Sequence, residues 1–182
     1  MGYVLNKLAN LPVDDSVRFY IFVINGQFQE PLYKIIQDNF VAVARSIGDD
    51  AVIAMGAHPE SFGEDVIGEY LGHGIPGYHG PTPALLITDA HPSKLTDKSL
   101  RLLVPLQQAE ERFGKDWNRF FTLLSKFVRG ESDEFLKQFE KSEDLSTMAN
   151  KLMNIRPGIF GISFNVNEAV TMFQKWRAKN AH

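Results

Sequence analysis

Between Arg18 and Asn25 the chain reads Phe-Tyr-Ile-Phe-Val-Ile, with no polar position to turn toward water. A strand of this kind must be covered on both faces. Two more unbroken apolar runs, Ala51 to Met55 and Ala84 to Thr88, make the same demand. Between the first two, Leu32, Ile35, Ile36, Phe40, Val43 and Ile47 recur at spacings of three and four, the stripe of an amphipathic helix. Pro31 suits its first turn, where a missing N–H costs nothing, and Gly48 suits its end. Alternation of wholly apolar strands with one-sided helices predicts a layered α/β fold.

The rest of the chain extends this pattern. Phe62 to Leu71 predicts a shorter helix, with Val66, Tyr70 and Leu71 on or near one face. Leu100 to Val104 predicts a fourth strand. The turn-rich stretch from His91 to Ser99 is short enough for a hairpin and cramped for a crossover helix. Beyond it, Trp117, Phe120, Phe121, Leu124, Phe127 and Val128 place a helix over Asp116 to Arg129, stopped by Gly130. Helices are expected over Asp133 to Lys141 and Asp144 to Met153, a last strand over Gly158 to Val166, and a C-terminal helix from Asn167. The expectation is one domain spanning residues 1–182.

Composition narrows what such a domain can do. The 182 residues contain no cysteine, which removes disulfides, thiolate nucleophiles, sulfur-based zinc sites and dithiol redox cycling. It also points to the cytoplasm rather than an oxidising compartment. Phenylalanine, with 14 copies, is the most frequent aromatic, so the core should be ring-rich. The formal net charge is −3 and no basic run exceeds two residues, which argues against a nucleic-acid partner. Neither a signal peptide nor a membrane-spanning apolar window is expected.

Candidate chemistry concentrates between His58 and His91, which hold four of the five histidines. His58 and His91 occupy the same tripeptide, Ala-His-Pro, each after an apolar strand, where α/β proteins present functional groups. With Glu60 and Asp89 they supply histidine plus carboxylate, a set that suits zinc or a harder divalent metal, so metal-assisted hydrolysis by His58 with Glu60 or Asp89 is one reading. The plainer reading is that each histidine caps a strand. The glycine-rich loop from Gly72 to Gly80 could cradle an anion on its N–H groups, but it lacks both GxGxxG and GxxxxGK[ST]. No cofactor is expected.

The order strand, helix, strand, helix, Thr82-Pro83, strand, hairpin, strand, helix resembles the thioredoxin-like fold. The residues that carry the resemblance are Thr82-Pro83-Ala84-Leu85-Leu86-Ile87, over a core of about 17–130 with a helical and strand extension over 131–182. The resemblance implies a mixed sheet flanked by helices, a third core strand antiparallel to the first two, and a cis bond at Thr82-Pro83. The family's redox motif would fall within Asn25 to Pro31, which has no cysteine. Cysteine-free members resemble interaction modules, chaperone-like partners or subunits of larger assemblies. The implied binding rim, for a protein or peptide, carries Asn25, Gly26, Gln27, Phe28, His58, Thr82 and Pro83. Phe28 would be its anchor if the ring is exposed, and a core residue if it tucks under the first helix.

Overall fold

The computed structural model describes residues 1–25, 31–71, 82–96, 99–139 and 160–161, together with Thr171, Gln174, Lys175 and Ala178. Its strands are β1 (Gly2–Leu5), β2 (Phe19–Ile24), β3 (Ala51–Gly56), β4 (Ala84–Thr88) and β5 (Arg101–Pro105), with a two-residue β6 (Phe160–Gly161). The helices are α1 (Pro31–Ser46), α2 (Pro59–Leu71), α3 (Leu106–Phe113), α4 (Trp117–Val128) and α5 (Glu134–Lys137). The strands form one open sheet in the order β1-β3-β2-β4-β5-β6. β1, β2 and β3 are mutually parallel where they pair, β4 runs antiparallel to β2 and β5, and β6 is parallel to β5.

Period-two alternation sorts each strand between two cores. Phe19, Ile21 and Val23 of β2, Ile53 and Met55 of β3, Leu85 and Ile87 of β4, and Leu102 and Val104 of β5 face α1, α3, α4 and α5. Tyr20, Phe22, Ile24, Val52, Ala54, Leu86 and Leu103 face the other way, under α2 and the segment carrying Leu5, Leu8, Leu11 and Val17. Every residue of β2 is buried, as its unbroken apolar run requires. The expected mixed α/β sheet flanked by helices is therefore present, with β4 antiparallel to β2 and the Thr82-Pro83 bond cis. Among the described residues no helix is long and apolar enough to cross a membrane.

The structure moves several boundaries. α2 starts at Pro59 rather than Phe62, because Pro59 fits the first turn and the Phe62 N–H already reaches the His58 carbonyl at 3.0 Å. The fourth strand begins one residue later than expected, at Arg101, and extends to Pro105. The 91–99 connection does join two antiparallel strands, with a 3₁₀ turn over Pro92–Lys94. α3 and β1 were not expected. α4 starts one residue inside the predicted helix, because the Asp116 side chain accepts the Arg119 N–H at 3.0 Å as a cap. α5 covers Glu134–Lys137 of the helix expected from Asp133. The predicted helix over Asp144 to Met153 lies outside the described residues. Of the predicted last strand, Phe160–Gly161 is described and pairs with β5; of the C-terminal helix, Thr171, Gln174, Lys175 and Ala178 are described and helical.

The turn from β3 into α2 tolerates no side chain at Gly56. A Cβ there would lie 2.4 Å from the Phe62 Cβ and 2.9 Å from the His58 carbonyl oxygen. Both obstacles are close to the backbone, so neither can swing aside. Gly56→Ala is expected to cost about 2 kcal/mol through overpacking, measured as a shift of the urea midpoint at constant slope. An unchanged midpoint would mean that the β3–α2 turn is looser than this geometry requires.

Candidate functional site

Strand direction decides which chemistry-bearing residues meet. The C-terminal ends of β2 and β3 lie beside the N-terminal end of β4, since Ile24 pairs with Ala84 and Phe22 with both Ala54 and Leu86. Asn25, His58, Thr82 and Pro83 therefore gather at one sheet edge. His91 follows the other end of β4, next to the start of β2, where Tyr20 pairs with Thr88.

At the first edge the residues divide by exposure. His58 and Thr82 are exposed, whereas Asn25 and Pro83 are buried. Gly63 of α2 presses on Asn25, so closely that a Cβ on it would lie 3.0 Å from the Asn25 carbonyl oxygen. The Pro83 carbonyl accepts the Leu106 N–H at 2.9 Å and so ties the start of β4 to α3. Of the expected rim, His58 and Thr82 thus offer exposed surface. Gly26, Gln27 and Phe28 lie outside the described residues, as does the Gly72 to Gly80 loop.

The two Ala-His-Pro tripeptides have different fates. His58 precedes α2, and its backbone carbonyl accepts the Phe62 N–H at 3.0 Å and the Ser61 hydroxyl at 3.2 Å, while its side chain faces solvent. His91 is only 8% exposed, and its ring is bonded on both sides. Nδ1 accepts the Ser93 N–H at 3.2 Å, and the Ser93 hydroxyl lies 2.8 Å from the same nitrogen. An amide can only donate, so the ring proton sits on Nε2, which donates to the Leu11 carbonyl at 3.3 Å. The Tyr20 ring meets the imidazole edge-on, with centroids 5.6 Å apart. His91 caps the Pro92–Lys94 turn and fastens the 6–17 segment to the end of β4.

Around His91 opens a polar cleft of about 310 Å3, lined by Asp14, Asp15, Tyr20, Asp89, Lys94 and Ser99 among others. Its charges are largely satisfied from within. Lys94 is ion-paired with Asp15. Asp14 accepts the Ser16 N–H at 2.9 Å and its hydroxyl at 2.7 Å, and these bonds hold its carboxyl below the usual aspartate range. Asp89 accepts the Leu100 N–H at 2.8 Å. Behind the cleft, Tyr70 donates its hydroxyl to the Ala90 carbonyl at 2.8 Å, and burial pushes its ionisation far above the ordinary tyrosine value. The cleft escaped sequence reasoning because its walls come from segments 79 residues apart, as the Lys94–Asp15 pair shows.

Asp89 carries a pH signature. The residue reaches solvent at the cleft, yet protein around its carboxyl disfavours the charged form and raises its pKa above the ordinary 3.8, against the N–H donations and the Arg101 charge that lower it. A raised acid pKa favours the folded state most below the unfolded value, and that contribution is lost as pH rises through the folded value. Asp89→Asn keeps an oxygen for the Leu100 N–H and removes the titration. Its melting temperature relative to the parent protein should therefore rise between about pH 3 and about pH 7. A relative stability that is flat or falling over that interval would show that the Arg101 attraction outweighs burial.

The metal reading finds its residues dispersed. His58 and exposed Glu60 lie at one edge and Asp89 and His91 at the other, separated by the length of β4, roughly 15 Å. Both His91 nitrogens are engaged by the protein. Among the described residues no group of three or more His, Asp or Glu side chains is arranged to hold a metal ion. Compared with known proteins, the chain matches no family model, no curated protein and no solved structure.

Proposed function

We propose that this chain is a non-catalytic binding module on a thioredoxin-like scaffold, taking a protein or peptide partner at the edge where β2, β3 and β4 converge. The observation that carries the reading is the strand order and direction. A central β2 between parallel β3 and antiparallel β4 brings exposed His58 and Thr82 to one rim in a chain with no cysteine. An extended segment can be bound there through backbone pairing, which requires no thiol. A chaperone-like role is the same reading with a less selective partner. Absence of cysteine is also the ground for proposing a cytoplasmic setting. Hydrolysis using His58 with Glu60 or Asp89 is the weaker reading, since Asp89 lies across the sheet and Glu60 stands exposed in the first turn of α2.

The test begins with capture from native lysate, followed by affinity measurement against the protein identified. His58→Glu and Thr82→Arg alter exposed rim side chains and should weaken binding about tenfold or more with the melting temperature unchanged, as expected for residues central to an interface. Lys94→Glu, on the far edge, should leave affinity within about twofold, as a substitution outside the contact does. Loss of affinity confined to Lys94→Glu would move the partner to the cleft and overturn the proposal.

A further inference from the structure

We draw no further inference here: the strongest candidate, the polar cleft of about 310 Å3 between the 14–17 loop and the 89–99 segment, is an acidic cluster whose side chains are already bonded within the protein, Asp14 to Ser16, Asp15 to Lys94 and Asp89 to Leu100, and nothing in the structure shows what it takes.

Discussion

Phe120→Ala is expected to destabilise the protein by about 3–5 kcal/mol, the range for a fully buried phenylalanine cut back to a methyl. The ring is 0% exposed and lies where α3, α4 and α5 meet. It contacts Phe113 edge-on at 5.2 Å, Trp117 at 5.4 Å, Phe121 at 5.3 Å and Phe135 at 5.6 Å. Mostly near-perpendicular arrangements set a positive ring edge against a negative ring face, so the loss includes specific ring contacts as well as area. The surrounding rings are held by three helices and cannot all collapse into the gap. For a domain of this size the melting temperature should fall by about 10 °C, at roughly 2–4 °C per kcal/mol. Near-UV circular dichroism from Trp117 should weaken with it, because the indole loses the Phe120 ring that it meets edge-on at 5.4 Å. A fall of only a degree or two would mean that the helical layer beneath Phe120 is loosely packed and adds little to the fold.

The same cluster marks what was legible in the sequence. Unbroken runs such as Phe19 to Ile24 admit few folded environments, and the two-sided burial they demand is what the sheet supplies. The stripe of α1 and the spacing of α4 were equally readable, since each contains three or more turns of regular apolar recurrence. β1 was not. Its four residues are too few for a period, and Val4 is 61% exposed on an edge strand, so the burial signal is absent. α3 did leave a trace: Leu106, Ala109 and Phe113 lie on one buried face, but a short polar helix starting directly after β5 gives the eye no break to find. At the rim, strand direction was the deciding information. It follows from topology and from no residue taken singly: the antiparallel third strand that the resemblance implies already sends the identical tripeptides at 57–59 and 90–92 to opposite edges, as β4 running against β2 does.

That difference yields the second large effect. His91→Ala should cost about 3 kcal/mol, the sum of a lost cap at roughly 1 kcal/mol and a buried Leu11 carbonyl left without its donor at roughly 1–3 kcal/mol. The Ser93 N–H loses its acceptor and the Tyr20 ring loses its edge contact. Release of Leu11 should also loosen the 6–17 segment, exposing Leu8, Leu11 and Val17, which are buried in the second core. Amide hydrogen exchange across that segment would then accelerate more than exchange in β3 or β4. His58→Ala removes an exposed imidazole and leaves intact the backbone carbonyl that receives Phe62 and Ser61, so its stability should stay within about 0.5 kcal/mol of the parent. Denaturant titration of the two variants side by side is decisive. Equal losses would show that both histidines serve as strand-end caps, which would remove His58 from the rim proposed above to take a partner. A neutral His91→Ala would mean that buried Leu8, Leu11 and Val17, with the Lys94–Asp15 pair, hold the 6–17 segment without the His91 bond. The expected asymmetry, one histidine holding the fold and the other free to meet a partner, follows from β4 running against β2: the same three residues close a seam at one end of the sheet and leave a side chain in solvent at the other.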